Sequence, residues 1–451
     1  METTTLDTIL VQVRAALERD DLVSAVSIIQ ALRPPDQADL FSELDDKHQV
    51  VLLPELRPAD SAHILEELDD EQAAELVAAL PNETVIRIVD QMEPDEAADL
   101  LGDIHPKQAQ VVLAGLEDPD EVRPLLLHPD DSAGGLMTSE FLALRRRMTA
   151  GEAIQAVREW KPEVETVYYL FVVDRYGRLC GVVNLRQLII ADPATPIAEI
   201  MDPDVISVPV GTDQEECARL MARYDLLTLP VVNGDLLLLG VITVDDLVDV
   251  LEDETTEDFQ RLGGAQPLER SYLDTGVLTV TRKRVGWLLL LFLTETLTGS
   301  VLRHFEVELQ SVVALAFFVP LLIGTGGNAG SQTTSTIIRA LAVGDIDLED
   351  ALGTFWHEIR IGLLLGIAMA GIAYVRALTW GSSPALALTV SLAIFAIVLW
   401  ANGLGSVLPL LAAKLRIDPT VVSGPVMSTL VDATGLFIYL TIAGVMLGLR
   451  R

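Results

Sequence analysis

One carboxylate, that of Asp432, stands in the middle of a long apolar stretch at residues 421–449. The stretch has 29 residues and contains no Lys, Arg or Glu. About 20 apolar residues are enough to cross a bilayer, so this stretch predicts a membrane-spanning helix. A carboxylate at bilayer depth costs on the order of 3 kcal/mol, and it therefore faces a pore, a cavity or a partner helix. We interpret Asp432 as a cation site in a conduction pathway; an acid that only holds helices together is the alternative.

A glycine- and amide-rich segment interrupts another uncharged apolar run, at residues 309–338. Pro320 precedes it, and residues 324–332 read Gly-Thr-Gly-Gly-Asn-Ala-Gly-Ser-Gln. Irregular backbone at membrane depth is tolerated only where it lines protein or a water-filled cavity. We therefore expect a break in this span, with exposed carbonyls that coordinate a hydrated cation. Close packing of helices through small residues is the competing explanation.

Carboxylates crowd one face of a predicted helix in the first part of the chain. Four of them recur every three or four residues on this face, Asp246, Asp249, Asp253 and Glu257, and Glu254 and Asp258 lie beside them. Like charges at this spacing repel by about 0.3 kcal/mol per pair, and a hard divalent cation such as Mg2+ relieves that repulsion through its oxygen ligands. A smaller group, Asp213, Glu215 and Glu216, opens the preceding helix, and Asp225 follows it. We interpret these acids as candidate Mg2+ sensors; a solvated connecting helix is the alternative.

The distribution of charge divides the chain into two parts. Residues 1–281 hold 56 of the 66 acidic residues but only 20 of the 31 Lys and Arg residues, whereas residues 282–451 are nearly neutral. We expect the first part to be soluble and the second to lie in a lipid bilayer. A strongly acidic surface repels nucleic acid and attracts cations, so no nucleic-acid partner is expected. The two cysteines, both in the soluble part, are too few for a disulfide framework and indicate a reducing cytosol.

The soluble part begins with a helical repeat, in a predicted domain at residues 1–130. Pro58, Pro94 and Pro106 mark helix starts that follow apolar residues of the repeat. Each unit predicts one short helix, and the stacked helices predict a superhelix. The apolar residues recur every 12 positions, at Leu44, Leu56, Leu68, Leu80, Met92, Ile104 and Leu116.

A second repeat, with a period of 59 residues, occupies a predicted domain at residues 131–250. Residues 172–174 correspond to residues 231–233, and residues 181–188 correspond to residues 240–247. Short β-branched strands alternate with helices, and this pattern resembles a tandem pair of CBS domains at about residues 134–198 and 199–250. The resemblance implies an α/β fold that binds ATP or another adenine nucleotide, with Arg186, Thr243 and Asp246 as candidate contacts. Gln187 stands where the first half is expected to carry a ribose-binding aspartate.

An acidic connecting helix and linker at residues 251–281 lead into a predicted membrane domain at residues 282–451. The apolar runs predict five membrane-spanning helices at residues 285–302, 309–338, 361–380, 384–413 and 421–449. With the amino terminus inside, seven Lys and Arg residues flank the spans on the cytoplasmic side and four on the outer side, Arg303, Arg376, Arg450 and Arg451. The positive-inside rule thus favours the inner (plasma) membrane with a cytoplasmic amino terminus and an external carboxyl terminus.

Taken in order, an acidic helical superhelix, a CBS pair, an acidic connecting helix and five spans resemble the MgtE family of magnesium channels. The most specific motifs are Pro-Leu-Leu-Ile-Gly-Thr-Gly-Gly-Asn-Ala-Gly-Ser-Gln at residues 320–332 and Ser-Gly-Pro-Val-Met-Ser-Thr-Leu-Val-Asp-Ala-Thr-Gly at residues 423–435. The resemblance implies a multidomain homodimer whose pore lies on the two-fold axis and is lined by the second and fifth spans. Asp432 then binds hydrated Mg2+, and the candidate pore-lining residues are Gly324, Gly327, Asn328, Ser331 and Ser428.

The resemblance also implies how the pore is controlled. In that family, Mg2+ ions bridge the superhelix, the CBS pair and the connecting "plug" helix and hold the pore shut. The sequence departs from the family at His63, where an acidic partner is expected, and at Ser331, where an Asn often lies. The implied function is Mg2+ influx that high cytoplasmic Mg2+ shuts off. The matching sensor carboxylates are Asp95, Asp213, Glu215, Asp225, Asp246, Asp249, Glu254, Glu257 and Asp258.

Other classes of protein fit parts of the sequence. A CBS-regulated transporter of Co2+ or Mn2+ is the alternative, because an oxygen-lined pore admits other hard divalent cations. An intramembrane zinc protease needs a His-Glu-x-x-His motif, but the His-Glu pair at His357 and Glu358 is followed by Ile361 in the fifth position. A non-conducting scaffold leaves Asp432 unexplained. We therefore expect a transporter and not an enzyme.

Overall fold

The computed structural model describes residues 3–160, 168–268, 272, 275–422 and 424–449. Ser423 of the second motif and the flanking residues Arg450 and Arg451 lie outside the described residues. The chain divides into two compact units. One comprises Met1–Asp253 with Glu269–Ser271, and the other comprises Glu254–Leu268 with Tyr272–Arg451.

Short helices build the amino-terminal region of the first unit, and the predicted superhelical repeat is confirmed. The five helices of the repeat, α5 to α9, begin at intervals of 12 residues. Pro58, Pro94 and Pro106 each occupy the first position of a helix, where the missing N–H removes no hydrogen bond. The helices are α1 (Thr3–Leu17), α2 (Leu22–Ile29), α3 (Pro34–Ser42), α4 (Asp46–Leu52), α5 (Pro58–Glu66), α6 (Asp70–Ala78), α7 (Asn82–Val89), α8 (Pro94–Asp103), α9 (Pro106–Leu113) and α10 (Pro119–Val122).

Two α/β modules of the same topology follow, as the 59-residue period predicts. In each module the first strand pairs with the second in parallel, and the second pairs with the third in an antiparallel ladder. Tyr169 faces Asn184 in the first ladder, and Thr228 faces Thr243 in the second, so the registers are shifted by the sequence period. The elements are β1 (Ala143–Arg145), α11 (Ala150–Trp160), β2 (Tyr169–Val173), β3 (Leu179–Asn184), α12 (Leu185–Ile190), α13 (Ile197–Ile200), β4 (Val208–Pro209), α14 (Gln214–Tyr224), β5 (Thr228–Val232) and β6 (Leu238–Thr243).

One apolar core joins the amino-terminal helices to the second module. It runs from Leu10 through the superhelical repeat to Leu247 and Val250. These last two residues belong to α15 (Val244–Leu262), which starts in the second module directly after β6. The connecting helix predicted to begin at residue 251 is therefore the second half of a longer helix, and the predicted boundary at residue 250 falls inside it. No Gly or Pro interrupts the helix at that boundary, and Gly263 and Gly264 end it, with Gly264 at a φ of 74°.

Among the described residues, five helices are long and apolar enough to cross a membrane. The first begins at Val277 rather than at residue 285, because the basic residues before the apolar run continue the helix. The second contains Pro320 and the whole glycine-rich segment without interruption, so the predicted break is wrong. The elements of this unit are α16 (Val277–His304), α17 (Glu306–Ser311), α18 (Ala314–Ala342), α19 (Ala351–Thr379), α20 (Pro384–Lys414) and α21 (Gly424–Met446).

The core of the membrane unit forms around α20, which packs against α18, α19 and α21. Tyr439 on α21 is fully buried, and its hydroxyl donates a hydrogen bond of 3.0 Å to the carbonyl oxygen of Leu315 on α18. A buried phenol that is satisfied in this way holds α18 and α21 together near one end. The two helices that carry the predicted pore residues are thus direct neighbours.

Candidate functional site

A cleft of about 330 Å³ lies between α18 and α21, and Asp432 is part of its wall. The candidate residues Gly324, Gly327, Asn328 and Ser428 line the same cleft. Pro320 and Ile323 complete the wall, and the sequence interpretation did not include them among the lining residues. The cleft therefore presents a carboxylate, an amide and a hydroxyl, which are oxygen ligands of the kind that Mg2+ and its water shell accept.

Glycines on α18 allow neighbouring helices to approach it closely. A Cβ atom at Gly326 would lie 2.5 Å from Ile397 Cγ2 and 2.8 Å from Val431 Cγ1. A Cβ atom at Gly330 would lie 2.7 Å from Met427 Cε. Close helix packing, the competing explanation for the small residues, thus accounts for these two glycines. The expectation of freely exposed carbonyls is wrong, because the segment is helical and its carbonyls lie within the helix.

Ser331 lies beyond the cleft, toward the start of α21. Its hydroxyl donates a hydrogen bond of 3.2 Å to the carbonyl oxygen of Gly424. Its oxygen also lies 3.4 Å from the hydroxyl oxygen of Ser428. Ser331 is therefore connected to the cleft through Ser428 and does not line it.

Another carboxylate of the membrane unit, Glu358 on α19, belongs to a polar network that the sequence did not reveal. Glu358 is buried and accepts hydrogen bonds from Thr333 Oγ1 at 3.3 Å and from Asn402 Nδ2 at 3.4 Å. These partners lie on α18 and α20, so the network joins three helices of the membrane unit. Residues 333, 358 and 402 show no spacing pattern that would have predicted it.

In the first unit, the candidate sensor Asp95 is buried rather than exposed, with 5% of its surface accessible. Its Oδ1 atom has no hydrogen-bond partner among the described residues. Burial raises the pKa of Asp95 well above its ordinary value, and the carboxylates of Asp246 and Glu93 raise it further. The structure therefore brings two predicted sensor residues, from α8 and α15, into one acidic environment. A buried carboxylate without a partner is the type of group that a cation or a proton satisfies.

Three further acids share this environment and were missed in the sequence. Burial and nearby carboxylates raise the pKa of Glu93 to about 7, that of Glu96 to about 9 and that of Asp99 to about 7. We call Glu93, Asp95, Glu96, Asp99 and Asp246 the acidic interface. The run Glu93-Pro-Asp-Glu at the start of α8 was a usable signal, since it places Glu93 at the N-cap and two further acids in the first turn of one helix.

Asp246 also makes hydrogen bonds within its own module. Its Oδ2 atom accepts hydrogen bonds from Thr243 Oγ1 at 2.5 Å and from the Thr243 backbone N–H at 3.2 Å. Burial raises the pKa of Asp246, whereas these hydrogen bonds lower it. Asp249 lies one turn farther along α15, close enough to raise the pKa of Glu67.

His63, which stands where an acidic superhelix partner is expected, lies on α5. Its Nδ1 atom lies 2.9 Å from Glu66 Oε2. Glu66 also accepts a hydrogen bond of 3.3 Å from the backbone N–H of Glu93, at the start of α8.

The candidate sensors Asp213 and Asp225 flank α14, and Glu215 lies in its first turn. Asp213 is the N-cap of α14 and accepts a hydrogen bond of 3.0 Å from the Glu215 backbone N–H. Asp225 ends the helix in a left-handed conformation with φ of 52°. These acids therefore have local structural roles at the two ends of one helix.

The remaining candidates, Glu254, Glu257 and Asp258, lie on the part of α15 that belongs to the second unit. There Arg261 forms ion pairs with Glu257 and with Asp418, which lies between α20 and α21. Partial burial raises the pKa of Asp258, and repulsion from Asp418 and Glu254 raises it further. Asp418 was not among the predicted residues, because it is a lone acid in a connection and belongs to no periodic pattern.

Within the part of the chain that the structure describes, no three His, Cys, Asp or Glu side chains are arranged to hold a metal ion directly.

The candidate nucleotide contacts do not lie together. Arg186 lines a cavity of about 530 Å³ with Asn184, Gln187, Ile190, Ala191 and Ile200. Thr243 is buried, and Asp246 belongs to the acidic interface, where repulsion disfavours a nucleotide phosphate. In the first module Gln187 forms a capping box with Asn184, with hydrogen bonds of 2.8 and 2.9 Å. The cavity beside Arg186 is therefore a separate candidate site for a nucleotide, and the contacts at Thr243 and Asp246 stay a prediction.

Three protein families match consecutive parts of the chain. The MgtE intracellular N domain matches residues 32–131, and the CBS domain matches residues 133–193 and 197–253. The MgtE family, described as a divalent cation transporter, matches residues 319–442 and thus includes the whole cleft.

Characterised relatives are similar over most of their length. The magnesium transporter MgtE of Thermus thermophilus is 47% identical over 327 residues, which cover 72% of each chain. The magnesium transporter MgtE of Enterococcus faecalis is 36% identical over 328 residues, also 72% of each chain. A crystal structure described as the cytosolic domain of the Mg2+ channel MgtE in complex with ATP is 40% identical, with a TM-score of 0.51, and the match covers 53% of this chain and 99% of that chain.

Proposed function

Because the chain belongs to the MgtE family of divalent cation transporters, we propose that it conducts Mg2+ across a membrane through the cleft that contains Asp432. Its relatives are named as magnesium transporters, which makes it a transporter rather than an enzyme. The observation that carries the proposal is the position of Asp432 beside Asn328 and Ser428, in one cleft between two membrane-spanning helices.

The chemistry of the cleft suits a hydrated ion. Mg2+ gives up its water shell reluctantly, so a conducting site has to hold the ion through its waters. The Asp432 carboxylate accepts hydrogen bonds from those waters, and the Asn328 amide and Ser428 hydroxyl supply further polar groups. The membrane potential drives a divalent cation inward with about 4–5 kcal/mol per 100 mV, since each charge contributes about 2.3 kcal/mol. Passive influx through the cleft therefore needs no coupled reaction.

We further propose that Mg2+ on the cytoplasmic side closes this path. The buried acids of the acidic interface repel one another unless a cation or protons neutralise them. A divalent cation at this interface favours the compact arrangement, and its loss favours separation. Mg2+ that binds through water suits carboxylates that are close but not arranged for direct coordination. Glu254, Glu257 and Asp258, with Asp418, form a second candidate region beside the start of α21.

The assembly and domain limits are part of the same proposal. Two copies pair about a two-fold axis so that two Asp432 carboxylates face one pathway. Residues 1–130, 131–250, 251–281 and 282–451 act as superhelix, CBS pair, connecting segment and membrane domain. The soluble parts and the amino terminus lie in the cytoplasm, and the carboxyl terminus lies outside. An adenine nucleotide binds the cavity beside Arg186, in keeping with the ATP complex of the similar cytosolic domain.

Ion flux into proteoliposomes of the purified protein tests the function. We expect Mg2+ uptake driven by an inside-negative potential, and we expect high Mg2+ on the cytoplasmic face to suppress it. Parallel assays with Co2+ and Mn2+ test the alternative cargo. Uptake of Co2+ or Mn2+ with no uptake of Mg2+ would contradict the assignment, and uptake that ignores cytoplasmic Mg2+ would contradict the closing mechanism alone.

A further inference from the structure

A second carboxylate lies at membrane depth in the second unit. Glu295 stands within α16, on an apolar helix that meets the criteria of a membrane span. Its side chain is exposed, and it has no hydrogen bond or ion pair with any residue that the structure describes. A charged group at this depth costs on the order of 3 kcal/mol when it faces lipid. The position of Glu295 therefore calls for water, a cation or a partner beside it.

Two contacts define how α16 and α21 lie along each other. Near their first turns in the membrane, Gly264 sits between them, because a Cβ atom there would lie 2.5 Å from Trp287 Nε1 and 3.3 Å from Pro425 Cγ. Near the other end, the rings of Phe305 and Phe437 are 5.7 Å apart. The two helices therefore run in the same direction.

This arrangement places the two carboxylates at similar depth. Glu295 is eight residues beyond Trp287, and Asp432 is seven residues beyond Pro425. A helix rises about 1.5 Å per residue, so the carboxylates lie about 12 and about 10 Å beyond the shared starting level. Counted back from the Phe305 and Phe437 rings, Glu295 is ten residues away and Asp432 is five residues away, which is about 15 and about 8 Å. The two anchors together place the carboxylates within about 8 Å of each other along the helix axes.

Electrostatics and an unsatisfied hydroxyl support this arrangement. The Glu295 carboxylate is close enough to repel that of Asp432. Thr298, one turn after Glu295 on α16, is 6% exposed, and its hydroxyl has no hydrogen-bond partner among the described residues. A buried hydroxyl without a protein partner indicates water or an ion beside it. Glu295 and Thr298 are three residues apart and therefore lie on one face of α16.

We propose that Glu295 is a specificity-determining residue of the cation pathway, a second carboxylate per chain that attracts hydrated divalent cations to Asp432. The inference rests on the proposed function. Two neighbouring carboxylates attract a divalent ion about twice as strongly as a monovalent ion, because the interaction scales with ionic charge. Glu295 therefore sets both the Mg2+ concentration at which uptake saturates and the preference for Mg2+ over monovalent cations.

The direct test measures Mg2+ uptake against external Mg2+ concentration for the wild type, Glu295→Gln and Glu295→Asp. Glu306→Gln is the matched control, since Glu306 is an exposed carboxylate on the neighbouring helix α17. We expect Glu295→Gln to raise the half-saturating Mg2+ concentration on the order of tenfold, because one attractive charge is lost. Glu295→Asp, which retains the charge, and Glu306→Gln should both stay close to the wild type.

The outcomes separate this inference from the proposed function. If the wild type shows no Mg2+ uptake, or uptake that ignores Asp432→Ala, the proposed function fails first. If uptake needs Asp432 but Glu295→Gln saturates like the wild type, Glu295 has no part in the pathway. The same conclusion follows if Glu295→Asp behaves like Glu295→Gln, because charge is then not the determinant.

A labelling experiment covers the case in which Glu295→Gln does not fold. Glu295→Cys in a Cys180→Ser background is treated with the cationic reagent MTSET in liposomes, with Cys180→Ser alone as the control. Modification that Mg2+ slows supports a water-filled cation path beside residue 295. A cysteine that stays unmodified faces lipid and overturns the inference.

Discussion

Arg261, on the last turn of α15, forms an ion pair with Asp418, which lies just before the helix that carries Asp432. Arg261 also pairs with Glu257, one turn earlier on its own helix. Asp418 is held in turn by hydrogen bonds from the Thr420 backbone N–H at 2.8 Å and from Thr420 Oγ1 at 2.7 Å. The Arg261 guanidinium thus links the acidic connecting helix to the segment just before α21.

Replacing this cation should make the region depend on Mg2+. Arg261→Gln removes the cation that pairs with both Glu257 and Asp418, beside Asp258. Because these groups are partly exposed, we expect a loss of only about 1 kcal/mol, seen as a lower thermal midpoint in EDTA. Added Mg2+ should recover more stability in the variant than in the wild type. The control is Arg123→Gln, which breaks the exposed 2.7 Å pair with Asp120, and equal effects of the two substitutions would contradict a linking role.

Neutralising Asp95 should have the opposite effect on the thermal midpoint in EDTA. Asp95→Asn removes a buried charge that repels Asp246 and Glu93 and keeps the shape of the side chain. We expect a higher thermal midpoint of the full-length protein in EDTA and a smaller increase on adding Mg2+. Asp7→Asn, at an exposed position on α1, is the matched control. A lower midpoint for Asp95→Asn in EDTA would show that the charge stabilises the interface without Mg2+.

The acidic interface also predicts how stability depends on pH. The pKa values of about 7 for Glu93, about 9 for Glu96 and about 7 for Asp99 lie above the unfolded values of 4.5 and 3.8. The folded state therefore binds more protons, so stability is highest near the unfolded values and falls as pH rises through the folded values. Without Mg2+ we expect a loss of more than about 1 kcal/mol between about pH 5 and about pH 9. Thermal midpoints in EDTA across this range give the measurement, and a stability that increases with pH would refute the assignment.

Substitutions of Arg186 and Asp246 distinguish the two candidate nucleotide sites. Arg186→Ala removes the cation beside the 530 Å³ cavity of the first module, so ATP affinity should fall on the order of tenfold. Asp246→Asn should leave ATP affinity unchanged, because Asp246 faces the acidic interface. Arg178→Ala, an exposed residue of the same module stacked on Tyr176, is the control. Calorimetric titration with ATP distinguishes them, and a loss of affinity confined to Asp246→Asn would restore the site predicted from sequence.

Periodic features of the sequence predicted the architecture well. The 12-residue spacing of apolar residues gave the helices α5 to α9, and the 59-residue period gave two modules with matched strand registers. Long apolar runs predicted the five candidate spans. These signals can be found within single stretches of the sequence, because the apolar residues of each helix or strand recur with the period of that element.

Features that depend on neighbouring helices were not predictable. Pro320 and the glycines suggested a broken span, yet α18 is continuous because α20 and α21 pack closely against Gly326 and Gly330. The partners of the acidic interface come from α8 and α15, about 150 residues apart, so no spacing reveals them. Asp418 and the Glu358 network were missed for the same reason.

The most direct test of Mg2+ conduction compares Asp432→Asn with Asp345→Asn in proteoliposomes. Asp345 is an exposed acid between α18 and α19, so its substitution controls for the loss of one negative charge. Asp432→Asn should reduce potential-driven Mg2+ uptake on the order of tenfold or more, since the cleft loses its charge, while Asp345→Asn should conduct like the wild type. Uptake by Asp432→Asn at the wild-type rate would contradict a conduction pathway through this cleft.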